Sequence, residues 1–189
     1  MELLEQRILK DGKVRPGGIL KVDSFLNHQI DSALTKAMAE EFHRLFAGEG
    51  VTKVLTVEAS GIAAAIMTAW EFGVPMVFAK KSKTKNIADD VYTAEVASFT
   101  HGTVNTIMVA KPYLNPGDRV LLIDDFLARG QALLGLKSLV EQAGGTVVGA
   151  GILVEKAFQG GSDLLRQAGV RVESLARVGN MTPGNIEFL

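Results

Sequence analysis

The residues best suited to chemistry lie between Val120 and Ala132. Four consecutive apolar residues, Val120-Leu121-Leu122-Ile123, read as a strand buried on both faces, and they deliver two adjacent carboxylates, Asp124 and Asp125, to its exit. Further on, Gly130 opens the next helix. The small residues Ala128, Gly130 and Ala132 let the backbone curl so that several N–H groups converge with a helix N-terminus, a cradle suited to a phosphate monoester. The paired acids are poorly matched to that phosphate. They suit neutral hydroxyls, such as the 2′ and 3′ groups of a ribose, or Mg²⁺ held by those hydroxyls. On pattern alone the same stretch also fits a solvated strand end and an ordinary turn.

Three other strand ends carry polar or small residues. Glu58-Ala59-Ser60-Gly61 offers exposed N–H groups to a ligand, or Ser60 as a helix cap. Lys80, Lys81, Lys83 and Lys85 crowd positive charge into one polar stretch just before Asp89-Asp90. That run is either a solvated face or a loop that closes over a polyanion. Lys156, two residues before Phe158, offers a donor and an aromatic face to a heterocyclic base, the alternative being a surface Lys and a core Phe.

These segments need elements to position them. Asp31 or Ser32 caps a helix whose face carries Leu34, Met38, Phe42 and Leu45 or Phe46, and Gly48-Glu49-Gly50 stops it. Val51–Glu58 reads as a strand, Ile62–Phe72 as a helix ending at Gly73, and Val74–Ala79 as a second strand, the order of a parallel βαβ unit. Lys80–Asp90 is expected to be a long loop, and Val91–Phe99 and Thr106–Ala110 an antiparallel pair turning at His101-Gly102. Val120–Ile123 is followed by a predicted loop, Asp124–Gly130, then a helix over Gln131–Ala143 and a strand over Thr146–Val154. A small helix around Leu164-Leu165 and a strand over Val172–Leu175 are expected to complete the sheet. The class is α/β with a mostly parallel sheet, in one domain over 1–189, and ligands should bind beyond the carboxyl ends of the strands.

Composition removes several function classes. Lys plus Arg is 20 and Asp plus Glu 21, so a net charge of -1 leaves no broad positive face for nucleic acid or an acidic membrane. Without cysteine there is no disulfide, thiolate zinc site, iron-sulfur cluster or thiol nucleophile. The amino terminus lacks the basic start and apolar stretch of a secretory signal, and a cytoplasmic location is expected. No GxxxxGK, GxGxxG or HExxH pattern occurs, and His28, His43 and His101 are too scattered to suggest zinc, so no metal-ligating residues are assigned.

Val120 to Ala132 resembles the donor-binding motif of the type I phosphoribosyltransferases: apolar strand, paired acids, small-residue loop. It departs from the usual form in carrying Arg129 and Ala132 where hydroxyl residues stand, and Gln131 in place of a second glycine. Lys21–Asp31, Glu58–Gly61 and Val154–Phe158 extend the likeness to purine-transferring members over essentially the whole chain. The resemblance implies the type I fold, a central mostly parallel sheet flanked by helices with a flexible hood loop, and residues 1–35 contributing a base-binding hood. It implies transfer of a 5-phosphoribosyl group from its 1-diphosphate to N9 of a purine by a homodimer, with Mg²⁺ accompanying the diphosphate. Asp124 and Asp125 would hold the ribose, and Ala128, Arg129, Gly130, Gln131 and Ala132 the 5′-phosphate. Ala59, Ser60, Lys80 and Lys81 would meet the diphosphate, and Leu20, Asn27 and Lys156 would contact xanthine. The donors of Asn27 and Lys156 match the carbonyls of xanthine and oppose the amino group of adenine. Guanine or hypoxanthine is the catalytic alternative. A non-catalytic donor-binding regulator is the other, although 189 residues leave little room for an appended DNA-binding module.

Overall fold

The computed structural model describes residues 1–81, 90–98 and 103–189. The chain begins with α1 (Glu2–Asp11), a small hairpin of β1 (Lys13–Arg15) and β2 (Ile19–Lys21), and one π-helical turn at Asp23–Asn27. Next come α2 (Ser32–Leu45), β3 (Lys53–Val57), α3 (Ile62–Phe72) and β4 (Met76–Ala79). An antiparallel pair, β5 (Val91–Ser98) and β6 (Thr103–Ala110), precedes β7 (Arg119–Leu127), α4 (Gln131–Gln142) and β8 (Thr146–Lys156). The chain ends with α5 (Gly161–Gln167), β9 (Val172–Thr182) and β10 (Asn185–Phe188). Lys83, Lys85 and Asp89, and the expected turn at His101-Gly102, lie outside the described residues.

The main sheet has the order β10-β9-β8-β7-β3-β4, parallel throughout except for β10. From β3 the chain crosses to β4, and from β7 it crosses the other way to β8, so the winding reverses between β3 and β7. A crevice opens beyond the carboxyl ends of strands at such a reversal. Both faces of the sheet are covered. Leu121 and Ile123 of β7 enter one core with α1, α2 and α3, while Val120 and Leu122 enter the other with α4 and the β5–β6 pair. Successive side chains of a strand point to opposite faces, which is why the apolar run in β7 is continuous rather than alternating.

Local chemistry explains the helix ends. Asp31 caps α2, its Oδ1 accepting from the Leu34 N–H at 3.0 Å, and Gly73 closes α3 in the left-handed conformation with φ 65°. Gly149-Ala150-Gly151 lies within β8, where a Cβ at Gly149 or Gly151 would stand 2.4 Å from the Phe46 ring or 2.8 Å from that of Phe42. These glycines let α2 pack closely on the sheet.

The expected boundaries need four corrections. Strand β7 continues past Ile123 to Leu127, because β8 runs far enough to pair Asp124 with Ile152, Phe126 with Val154 and Leu127 with Glu155. The paired acids are therefore in a strand, not a loop. Strand β6 begins at Thr103 rather than Thr106, opposite Ser98. Strand β9 runs to Thr182, and β10 folds back on it as an added antiparallel edge. Helix α1 and the β1–β2 hairpin, absent from the sequence reading, are also formed; Leu4 and Ile8 of α1 are fully buried. No helix among the described residues is long and apolar enough to cross a membrane.

Candidate active site

Asp124 and Asp125 are only 7% and 6% exposed, at the end of β7 beside the winding reversal. Burial, followed by the neighbouring Asp125 charge, pushes the Asp124 carboxyl well above the usual carboxylate range, with Lys81 acting in the opposite sense. Its Oδ1 accepts the Asp125 backbone N–H at 3.0 Å. Asp125 gathers two distant segments: its Oδ1 accepts from Ser60 Oγ at 2.9 Å and its Oδ2 from Asn27 Nδ2 at 3.1 Å. Residues expected on the base, ribose and diphosphate therefore meet at one carboxylate.

The turn between β3 and α3 is tightly seated. No side chain caps α3, so the capping role open to Ser60 is not used; its hydroxyl serves Asp125 instead. A Cβ at Gly61 would lie 2.3 Å from Thr56 Oγ1 and 3.1 Å from Asp124 Oδ1. Ala59 follows Glu58 through a cis peptide bond. Glu58 accepts the Lys81 backbone N–H on Oε1 at 2.6 Å, tying the end of the β4 segment to this turn. Lys81 lines the cleft. Lys80 is fixed through its backbone, which exchanges two 2.9 Å hydrogen bonds with Met108, and its side chain lies outside the cleft lining.

The cleft has a volume of about 560 Å³ and is walled on one side by Asp124 to Leu133, which include Ala128, Arg129, Gly130, Gln131 and Ala132. Gly130 takes φ 81° and begins α4 without a side-chain cap, leaving the first-turn N–H groups available to an anion. Val96, Ala97, Asn105 and Ile107 of the β5–β6 pair line the opposite side. That pair packs on α4 at Gly135, where a Cβ would be 2.6 Å from Val96.

Lys156 ends β8. Its Nζ donates to the Gly18 carbonyl of the β1–β2 hairpin at 3.0 Å and lies 5.7 Å from the centre of the Phe126 ring, and burial lowers its pKa. Leu20, in the same hairpin, is 6% exposed and belongs to the core outside the cleft lining. Phe158 is half exposed on the turn after β8. Glu58 lines the cleft with the rest of its strand end, and Asn105, Phe126 and Gln159 also line it without having been assigned a role from sequence. Only Phe126 carried a visible clue, its place two residues beyond Asp124 in the same strand.

A family model, the phosphoribosyl transferase domain, matches residues 21–165. The xanthine phosphoribosyltransferase of Lactobacillus delbrueckii subsp. bulgaricus is 57% identical over 188 residues, covering 100% of both chains. The xanthine phosphoribosyltransferase of Ruminiclostridium cellulolyticum is 55% identical over 188 residues, covering 100% of this chain and 99% of the relative. Among solved structures, the adenine phosphoribosyltransferase of Rhodothermus marinus aligns with TM-score 0.77 at 25% identity, over 94% of this chain and 100% of that one. The enzyme of Giardia lamblia complexed with 9-deazaadenine aligns with TM-score 0.75 at 26% identity, over 88% and 90%. With the paired acids at the winding reversal, the small-residue loop beyond them and this full-length similarity, the chain belongs to the phosphoribosyltransferase family and has its type I fold.

Proposed function

We propose that this chain transfers the 5-phosphoribosyl group from 5-phospho-α-D-ribose 1-diphosphate to N9 of xanthine, forming xanthosine 5′-monophosphate and releasing diphosphate. The observation that carries this reading is the convergence of Ser60 and Asn27 on Asp125, beside the Gly130 loop. The full-length relatives named for xanthine transfer support the choice of base.

As the bond from C1′ to diphosphate lengthens, the sugar gains oxocarbenium-like positive charge, and catalysis rests on position and electrostatics. In this reading Asp125 receives the ribose hydroxyls, which take over as donors from Asn27 and Ser60 and free those groups for base and diphosphate. Asp124 stands beside Asp125, and a carboxylate of this pair takes the ring proton of the purine. Residues 128–132 hold the 5′-phosphate through backbone N–H groups, with Arg129 supplying charge. Ala59, Ser60 and Lys81 receive the diphosphate, and the backbone pairing of Lys80 with Met108 holds Lys81 in place beside it. Mg²⁺ would be carried by the oxygens of the donor itself, beside Asp124 and Asp125, and would neutralise part of the charge on the diphosphate.

Lys156 and Asn27 donate to the two xanthine carbonyls, and Leu20, packed in the core, anchors the hairpin whose Gly18 carbonyl holds Lys156. Adenine would set its amino group against a lysine donor. Initial rates with xanthine, guanine, hypoxanthine and adenine at fixed donor and Mg²⁺ test the assignment. Xanthine should be fastest, and a clear preference for adenine or hypoxanthine overturns it. The reading includes a cytoplasmic homodimer, supported by the exposed Ile66 and Trp70 one turn apart on α3; sedimentation yielding only a 20.2 kDa species would contradict the dimer.

A further inference from the structure

The same end of the sheet holds a buried carboxylate that the transfer chemistry does not use. Glu155 is next to last in β8 and 1% exposed. A charge so placed needs partners. Its Oε1 accepts from Ser162 Oγ at 2.6 Å and its Oε2 from Arg177 Nε at 3.1 Å. Burial alone raises its pKa, but the hydroxyls of Ser162 and Ser174 and the Arg177 guanidinium outweigh that effect and hold it below the ordinary range. Leu127 on β7 and Arg177 on β9 are its register neighbours.

Ser162 is the second residue of α5 and 3% exposed. One residue earlier, the Gly161 N–H donates to the Ala128 carbonyl at 3.1 Å. A Cβ on Gly161 would stand 2.4 Å from that oxygen, and one on Gly130 would stand 3.1 Å from the Gly161 carbonyl. Loop and helix therefore touch backbone to backbone. The contacts close a ring: Glu155 lies beside Leu127, Leu127 leads to Ala128, Ala128 is bound by Gly161, and the adjoining Ser162 returns to Glu155. The loop is thus joined to the start of α5, and the start of α5 to the buried carboxylate.

We propose that Glu155 is a positioning residue for donor binding: through Ser162 it holds the first turn of α5 against Ala128 and Gly130, in the geometry that receives the 5′-phosphate. This rests on the assignment of residues 128–132 to that phosphate made above. The test uses steady-state kinetics with each substrate varied in turn, together with melting temperatures, for Ser162→Ala, Glu155→Gln, Glu155→Ala and the double alanine variant. The KM for the donor should rise about tenfold in Ser162→Ala and Glu155→Ala, since a hydrogen bond to a charged group is lost. The kcat should change by less than about twofold, and the xanthine KM of Ser162→Ala should be unaltered. Glu155→Gln, which keeps an acceptor for Ser162, should retain most of the donor affinity, and the double variant should be no worse than Glu155→Ala. An unaltered donor KM in both alanine variants, or an equal rise for both substrates, overturns the proposal. If Glu155→Ala does not fold, Ser162→Ala and Glu155→Gln still decide it. Ala132→Asp places a repelling charge in the loop itself. If that variant also leaves donor KM unchanged, the loop assignment fails; if it raises donor KM while the Glu155 and Ser162 variants do not, only the positioning role fails.

Discussion

Replacing Gly61 with alanine tests how closely the Glu58–Gly61 turn and the acid pair are coupled. The backbone there has φ -71°, which any residue accepts, so space alone is at issue. A Cβ would sit 2.3 Å from Thr56 Oγ1 and 3.1 Å from Asp124 Oδ1, the first about 1 Å short of ordinary contact. Thr56 is fully buried and cannot swing into solvent. The strain must move the start of α3 outward, drawing Ser60 from Asp125, or push Asp124 itself. Overpacking of this kind costs about 1–3 kcal/mol, and at this chain length each kcal/mol lowers the melting temperature by about 2–4 °C. A displacement near 1 Å among substrate-positioning groups costs about 10²-fold in rate, so kcat/KM for xanthine at saturating donor should fall by that order. Thr56→Ala removes the obstructing oxygen, a hydroxyl with no hydrogen-bond partner among the described residues, and should restore much of the activity when combined with Gly61→Ala. Thr56→Val keeps an atom in that place and should not. Activity of Gly61→Ala within about twofold of the parent, or a loss that Thr56→Ala leaves untouched, would refute the coupling.

Other substitutions probe separate terms. Asp124→Asn should reduce transfer sharply yet raise the melting temperature at neutral pH. The folded-state pKa of Asp124 is raised, so its ionisation disfavours the fold as pH climbs above the unfolded carboxylate value; the gain should disappear in acid, where both states are protonated. Lys156→Met should lower kcat/KM for xanthine by about 10²-fold or more and erode discrimination against adenine, measured as the ratio of initial rates. Lys53, a nearly buried residue of β3, donates to Asp118 at 2.7 Å, and Asp118→Asn should cost about 3 kcal/mol in denaturant unfolding by leaving the ammonium without its charge partner. The Asp118 pKa is lowered in the fold, despite burial, by hydrogen bonds from Lys53 and the Asn115 N–H. Its contribution is present above the unfolded value and lost as pH falls through the folded one, so wild type and variant should converge in acid.

Much of the arrangement is legible locally. The apolar run Val120–Ile123 ending in two acids identifies a buried strand aimed at a site, and Asp31 and Gly73 mark helix ends because capping depends on a few adjacent residues. What is missed depends on a partner elsewhere. Asp124 and Asp125 resemble loop residues until β8 supplies a neighbour that keeps them in a strand. Ser60 looks like a cap until Asp125, 65 residues away, accepts its hydroxyl. Leu20 is assigned to the base by resemblance, yet its side chain packs in the core while Gly18 of the same hairpin holds Lys156 through its carbonyl.

By itself, the sequence determined the α/β class, the βαβ order, the paired acids and the small-residue loop, since each rests on periodicity or on residues in immediate succession. Tertiary structure alone decided that Asn27, Ser60 and Asp125 share one hydrogen-bonded centre and that Glu155, Ser162, Gly161 and Ala128 are linked in sequence at the start of α5. The physical reason is that a side chain's partner across the sheet leaves no period in the chain. Where β3 and β7 diverge, segments 65 and 98 residues apart are brought within hydrogen-bonding distance, and there burial raises the pKa of Asp124 while Ser60 and Asn27 orient Asp125.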